Sequence, residues 1–169
     1  MELLGKARLF AIHNQFLVFD SADPVDVELA QWNEERSRRG YIATEHVCFI
    51  GTVGDTNDHI LELYVADSPP EDHAAERVIV LPITIRSGSF TIGDILNFYF
   101  DPIVTVNIEP GDYGIYCLAY NLGVEPTDEE FELSDEEFCQ LAHIEKYKLV
   151  FVKGKVPEVG VIQGSEFRY

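Results

Sequence analysis

The chain contains about eight short apolar segments, each ended by turn-forming residues. These segments cover residues 9–12, 15–19, 47–50, 60–65, 77–85, 104–108, 113–120 and 147–152. Short apolar segments that follow one another at such intervals are typical of strands in an all-β domain. We therefore predict a mainly β fold, an antiparallel β-sandwich with one or two short helices in the connections.

Two of the segments lead to more detailed predictions. Residues 104–108 alternate apolar and polar side chains, and a Glu-Pro-Gly-Asp turn sequence follows at 109–112. This order predicts that segments 104–108 and 113–120 form a β-hairpin. Pro82 interrupts segment 77–85 and cannot donate a backbone hydrogen bond, so we expect it at a sheet edge or at a β-bulge.

The first predicted helix follows segment 15–19. Asp23 and Pro24 suit its start, because an N-cap side chain followed by proline is favourable at the beginning of a helix. Gly40 suits its end, where a left-handed backbone conformation is common. Its apolar stripe consists of Val25, Leu29 and Trp32.

The second predicted helix begins at Ser134. Ser134 and Glu137 have the spacing of a capping box, in which each side chain accepts a hydrogen bond from the other residue's backbone N–H. We expect the buried face of this helix to consist of Phe138, Leu141 and Ala142.

The length of the chain, 169 residues, fits one domain with a substantial core, because a domain of about 150 residues buries roughly 70% of its unfolded surface. We expect a single β-sandwich domain at 1–153. The apolar pattern fades after these residues, so we expect residues 154–169 to form a loosely ordered C-terminal tail.

The cysteines and the apolar runs bear on the location of the protein. Cys48, Cys117 and Cys139 form an odd set without CxxC spacing, which favours reduced thiols over a disulfide framework. No apolar run approaches the roughly 18 residues that a membrane-spanning helix needs. We therefore expect a cytoplasmic protein that associates with a membrane only through a partner.

Acidic residues outnumber basic ones by 30 to 12, which gives a formal net charge of −18. Residues 125–137, which we call the acidic segment, contain no Lys or Arg. Their acids are Glu125, Asp128, Glu129, Glu130, Glu132, Asp135, Glu136 and Glu137. A negative charge of this size disfavours direct binding to DNA, RNA and anionic membranes. The segment is therefore either a solvated surface or a surface that binds a cationic partner.

The sequence contains no GxSxG, HExxH, P-loop or GxGxxG motif, so we predict no enzyme activity and no cofactor. His46 and Cys48 share one face of a predicted strand, but a metal site needs a second pair of ligands. A calcium site in the sandwich loops, formed by Asp20, Asp23 and Asp55, is kept as an alternative. So is an enzyme site in which carboxylates converge with the histidines His46, His59 and His143.

Several short motifs occur together in a fixed order. Residues 13–19 read His-Asn-Gln-Phe-Leu-Val-Phe, Trp32 and a Gly-Tyr pair at 40–41 follow, and residues 110–113 read Pro-Gly-Asp-Tyr. This ordered set, which spans about two thirds of the chain, resembles the competence protein J (ComJ-like) family of DNA-entry nuclease inhibitors.

The resemblance implies that the partner is a basic nuclease, and the charge of the chain agrees with it. Carboxylates spaced along a rigid face can occupy the cationic groove in which a nuclease holds DNA. We predict that the partner-binding residues are Glu129, Glu130, Phe131, Glu132, Asp135 and Glu136. An aromatic side chain, Phe131 or Tyr120, should be the apolar anchor that becomes buried at the interface. The alternatives are an immunity protein against another cationic toxin and a calcium-dependent β-sandwich binding module.

Overall fold

In a computed structural model that describes residues 1–23, 32–44, 46–55, 57–94, 102–154, 156 and 158–165, the chain forms two β-sheets and three short helices. The six-stranded sheet has the order β1 (Glu2–Ala11), β5 (Asn57–Ala66), β10 (Lys146–Lys153), β9 (Gly111–Tyr120), β6 (Arg77–Ile85) and β11 (Gly160–Gln163). The five-stranded sheet has the order β3 (Tyr41–Ala43), β4 (Val47–Gly51), β2 (Gln15–Asp20), β7 (Ser89–Gly93) and β8 (Val104–Asn107). The helices are α1 (Glu34–Arg39), α2 (Asp128–Phe131) and α3 (Asp135–Phe138).

The predicted mainly β fold with antiparallel sheets is confirmed, with one more short helix than expected. Among the described strands every pair is antiparallel except β5 with β10, which run parallel. The main core lies between the two sheets and contains buried side chains from both. Phe90 of the five-stranded sheet stacks on Phe151 of the six-stranded sheet, with 4.2 Å between the ring centroids. Such an aromatic pair contributes about 1 kcal/mol beyond the apolar area that it buries.

The predicted hairpin of segments 104–108 and 113–120 is wrong. β8 pairs with β7 in the five-stranded sheet, whereas β9 lies between β10 and β6 in the six-stranded sheet. Residues 108–110 therefore carry the chain from one sheet to the other. β9 is buried throughout residues 113–119, because one of its faces packs in the core between the sheets and the other packs in an apolar cluster on the outer face of its sheet. The turn residues show that the chain changes direction at this point, but they do not show which strands pair with each other.

The first helix is shorter than the sequence predicts. The backbone of Asn33 is extended, and its side chain accepts a hydrogen bond from the N–H of Arg36, which makes Asn33 the N-cap of α1. Trp32 therefore precedes the helix, and its predicted place in a helical stripe is wrong. The predicted end at Gly40 is confirmed, with a φ of 72°. Residues 24–31, which include Pro24, Val25 and Leu29, lie outside the described residues.

Strand β11 bears on two predictions. It pairs with residues 78–80 of β6, so Pro82 lies where β6 is the edge of the sheet, and its predicted edge position is confirmed. The loose tail predicted for residues 154–169 is wrong for residues 160–163, because they belong to the sheet. The sheet thus extends beyond residue 153; residues 155, 157 and 166–169 lie outside the described residues.

Val156, between β10 and β11 in the chain, packs on the outer face of the six-stranded sheet. Val156 joins an apolar cluster there with buried side chains of β6, β9 and β10. The contact is closest at Gly114, where an added Cβ would lie 2.2 Å from Cγ1 of Val156. Glycine at 114 is therefore required for Val156 to lie against the sheet.

We predict that Gly114→Ala lowers the free energy of unfolding by about 1–3 kcal/mol, because the new methyl group displaces Val156. Urea unfolding measures the effect. Gly5→Ala in β1 is the matched control, since its Cβ would meet no atom within 4 Å. Adding Val156→Ala to Gly114→Ala should recover part of the loss. Equal stability of the two glycine variants would contradict the prediction.

Candidate partner-binding surface

The acidic segment is built on a repeated sequence of five residues. Residues 127–131 read Thr-Asp-Glu-Glu-Phe, and residues 134–138 read Ser-Asp-Glu-Glu-Phe. Each copy forms a single helical turn, α2 or α3, that is closed by a capping box. The capping box predicted at Ser134 is confirmed. The capping box of the first copy was not predicted, although the duplicated pentapeptide with a hydroxyl residue in first position indicates it.

The capping boxes have matching geometry. The N–H of Thr127 donates to Oε2 of Glu130 at 2.9 Å, and the N–H of Ser134 donates to Oε2 of Glu137 at 3.1 Å. In return, each hydroxyl accepts from the glutamate N–H, at 3.4 Å and 3.3 Å. The backbone of both turns is therefore fixed by local hydrogen bonds rather than by a long helix.

The second helix ends earlier than its predicted buried face requires. α3 stops at Phe138, with Cys139 as its C-cap. Phe138 is buried as predicted, and Leu141 is half-buried beside it, but Ala142 is exposed. The prediction for Ala142 is wrong because the chain leaves the helix after one turn.

The phenylalanines at the end of the two copies have different surroundings. Phe138 is 0% exposed and packs with Ile60 and Ile144. Phe131 is 36% exposed, although it occupies the same place in the repeat. An aromatic ring left on the surface by an otherwise ordered turn is available to a partner.

Arg8 of β1 fastens the acidic segment to the six-stranded sheet. Its guanidinium donates to Oδ2 of Asp58 on β5, at 2.8 Å from Nε and 2.5 Å from Nη2. It also donates to the carbonyl oxygens of Leu133 at 2.9 Å and Phe131 at 3.0 Å. The same guanidinium lies 4.2 Å from the ring centroid of Phe138. One cation thus holds the link between α2 and α3 and covers the buried phenylalanine.

The predicted partner-binding residues fall into two groups. Glu129, Phe131, Glu132, Asp135 and Glu136 are exposed. Glu130 is half-buried, because its carboxylate caps Thr127 and lies 3.0 Å from Nε2 of His143. Hydrogen bonds from Thr127 and the adjacent His143 lower the pKa of Glu130, and hydrogen bonds from Ser134 lower the pKa of Glu137. Glu130 therefore shapes the segment, and the first group faces solvent.

A buried carboxylate fixes the loops beside the acidic segment. Glu145 accepts hydrogen bonds from the N–H groups of Val53 at 2.9 Å, Gly54 at 3.0 Å and Gly123 at 2.9 Å, and from the hydroxyl of Tyr147. Burial and the neighbouring Glu145 raise the pKa of Tyr147. No short motif surrounds Glu145, so a single sequence gives no signal for this role.

The residues of the alternative calcium site have other partners. Asp20 is buried and accepts hydrogen bonds from the N–H groups of residues 22, 86 and 87; these lower its pKa against the opposing effect of burial. Asp55 accepts from the N–H of Asn14, and Asp23 lies 3.2 Å from His46. Among the described residues, no three His, Cys, Asp or Glu side chains are close enough together to hold a metal ion.

The histidines and cysteines likewise have separate surroundings. His143 is exposed beside Glu130, whereas His59 is buried in β5. Burial raises the pKa of both Cys48 and Cys117 to about 12, so these thiols are unreactive. In the part of the chain that the structure describes, no helix is long and apolar enough to cross a membrane.

Comparison with known families identifies the fold. The model of the competence protein J (ComJ) family matches residues 8–144. The chain belongs to the ComJ family. The match begins at Arg8 and includes the whole acidic segment, which lies beyond the motifs seen in the sequence. No curated protein sequence gives a significant match.

Two solved structures are similar to this one. The first is ComJ from Bacillus subtilis, described as an inhibitor of the DNA-degrading activity of NucA. It has a TM-score of 0.63 and 19% identity over 90% of this chain and 98% of the other. The second, described as crocagin biosynthetic gene J, has a TM-score of 0.51 and 12% identity over 89% of this chain and 98% of the other. At these identities the likeness concerns the fold.

We predict that Arg8→Lys lowers the free energy of unfolding by about 3 kcal/mol, because lysine cannot reach Asp58 and both carbonyl oxygens at once. Amide hydrogen exchange should also become faster at residues 127–138. Arg39→Lys is the control, since Arg39 is more exposed and its ion pair with Glu35 is 3.8 Å long. Equal effects of the two substitutions would show that Arg8 fastens nothing.

The capping glutamates predict a pH dependence. The pKa values of Glu130 and Glu137 lie below the ordinary value of 4.5, so their stabilising contribution is present above that pH and is lost as the pH falls through the lower folded-state values. Glutamine can cap but cannot titrate. Between about pH 5 and pH 3, the Tm of Glu130→Gln/Glu137→Gln should therefore fall less than that of the wild type. Glu129→Gln/Glu136→Gln, which removes no cap, should follow the wild type; a fall as shallow as in the capping variant would contradict this.

Proposed function

We propose that this protein inhibits a DNA-degrading nuclease by placing its acidic segment in the nuclease's cationic DNA-binding groove. Membership of the ComJ family supports the proposal, since the ComJ of Bacillus subtilis inhibits NucA. The observation that carries it is the pair of capped turns, which hold exposed carboxylates on a fixed backbone in a segment, residues 125–137, that contains no Lys or Arg.

The rigidity of the segment favours binding. A flexible acidic loop loses conformational entropy when it docks, whereas the two capping boxes and Arg8 have already ordered this backbone. The exposed carboxylates of Glu129, Glu132 and Glu136 can then meet the cations that otherwise bind phosphates. The net charge of −18 also accelerates association with a basic partner and keeps the inhibitor itself off DNA.

Phe131 provides the apolar contact in this proposal. Exposed charges raise the association rate more than the affinity, so a tight inhibitor needs at least one side chain that becomes buried on binding. Phe131 is the exposed aromatic residue within the acidic segment, and its backbone is held by Arg8.

The proposal includes no catalytic role for this chain and places it in the cytoplasm. The non-catalytic role is supported by the family member that is described as an inhibitor. The cytoplasmic location is supported by the three free cysteines, because thiols stay reduced in the cytoplasm. An immunity protein against another cationic toxin would use the same surface, so the identity of the inhibited enzyme decides between the two.

We predict that Glu129→Lys/Glu132→Lys/Glu136→Lys weakens inhibition of a NucA-type nuclease at least about 100-fold at roughly 50 mM salt. These residues are exposed and their side chains take no part in either capping box, so the fold should persist. A DNA-degradation assay against the NucA homologue from the same genome, and against NucA of Bacillus subtilis, measures the inhibition constant. The difference from the wild type should shrink at about 300 mM salt.

The matched control is Glu2→Lys/Glu71→Lys/Glu158→Lys, which changes the net charge equally at exposed acids outside the acidic segment. It should inhibit within about threefold of the wild type at 300 mM salt, where long-range steering is screened. Equal loss in both triple variants would show that only the overall charge matters. A wild-type protein that inhibits neither nuclease would overturn the proposed function.

A further inference from the structure

The loops 52–55 and 121–124 lie beside the acidic segment and expose apolar side chains. Val53 is 38% exposed and Val124 is 43% exposed. The two loops touch, because an added Cβ at Gly123 would lie 3.3 Å from Cγ1 of Val53. Together these valines form a small apolar area at the end of the sandwich where β5 begins.

Hydrogen bonds fix the backbone of both loops that carry this apolar area. The carboxylate of Glu145 accepts hydrogen bonds from N–H groups of both loops. The N–H of Glu145 in turn donates to the carbonyl oxygen of Val124 at 2.9 Å. The side chain of Asn14 donates to the carbonyl oxygen of Val53 at 3.1 Å. Two valines on anchored loops therefore stay exposed, although nothing prevents the loops from carrying polar residues there.

The area is continuous with the acidic segment. Residue 124 directly precedes that segment, and the side chain of Asn121 donates to the carbonyl oxygens of Ala142 and Ile144. Between them, His143 reaches Glu130 of α2. The loops and the capped turns thus share one support, the connection that leads into β10.

The charged residues of these loops and of the adjoining acidic segment are all acidic. Asp55 and Glu125 are exposed, and neither loop 52–55 nor residues 121–137 contain Lys or Arg. His59 lies under loop 52–55, where an added Cβ at Gly54 would come within 2.8 Å of its ring. Burial lowers the pKa of His59, so the ring adds no positive charge near neutral pH.

His59 is buried beneath this apolar area. No described side chain forms a hydrogen bond with either ring nitrogen, and the ring interacts with the backbone of Gly54 in loop 52–55.

From these observations we infer that Val53 and Val124, surrounded by Asp55 and Glu125, form a second contact area for the same cationic protein partner. The inference rests on the proposed function. The partner must then present an apolar side chain flanked by basic residues, next to the groove that receives the acidic segment. A nucleic acid does not fit, because the charged residues of loop 52–55 and of residues 121–137 are all acidic. Phe131 and the two valines would be the apolar centre of one interface, with carboxylates around it.

The test is the inhibition of the same NucA-type nuclease by Val53→Arg/Val124→Arg. Two cations on this area should weaken inhibition about 30-fold or more at roughly 300 mM salt. The control is Val159→Arg/Ile162→Arg, which makes the same charge change at side chains that are 51% and 46% exposed on the β11 side of the molecule. It should stay within about threefold of the wild type.

A second variant guards against loss of the loop structure. Val53→Ala/Val124→Ala adds no charge and leaves the backbone bonds to Glu145 in place, and it should weaken inhibition about 5- to 10-fold. If the wild type inhibits and both valine variants match the β11 control, the second contact area is overturned while the acidic segment stands. If the wild type does not inhibit, the proposed function has failed instead.

Discussion

The conformation of the acidic surface depends on the guanidinium of Arg8, because this cation holds together a segment whose carboxylates repel one another. Residues 125–137 concentrate eight carboxyls without a basic neighbour in sequence, and their mutual repulsion favours an open chain. Arg8 supplies the missing cation from β1, yet it donates to two carbonyl oxygens as well as to Asp58. It thereby fixes the backbone, and it also lies 3.7 Å from the carboxylate of Asp135. One cation on β1 thus orders the backbone of the acidic segment, while Glu129, Glu132 and Glu136 stay exposed to solvent.

Features that depend on a few consecutive residues could be predicted from the sequence. The capping box at Ser134, the helix end at Gly40 and the edge position of Pro82 each follow from the chemistry of one short stretch. Strand pairing does not. The segments that become β8 and β9 look like a hairpin, but β9 needs a neighbour on each side and takes both from distant parts of the chain. For the same reason β11 was not predicted. Its sequence is short and has a weak apolar pattern, and it forms a strand by pairing with β6, which is distant in sequence.

The candidate surface shows a similar division. The acidic residues and Phe131 could be found from composition, because an unneutralised run of carboxylates is visible in any single sequence. The residues that hold this surface could not. Arg8 acts on a carbonyl group 125 positions away, and Glu145 acts on an N–H group 91 positions away. Nothing near either residue distinguishes it from the many other charges of the chain.

The central position of β10 has a consequence for how the chain folds. β10 lies between β5 and β9, and it is the strand through which β1 and β5 join β9 and β6 in the described sheet. During synthesis, two partial sheets with open edges must therefore wait until residues 146–153 leave the ribosome. The acidic segment emerges immediately before this strand. The mutual repulsion of its carboxylates, which opposes contact between like-charged chains, is therefore present while the edges of both partial sheets are still unpaired.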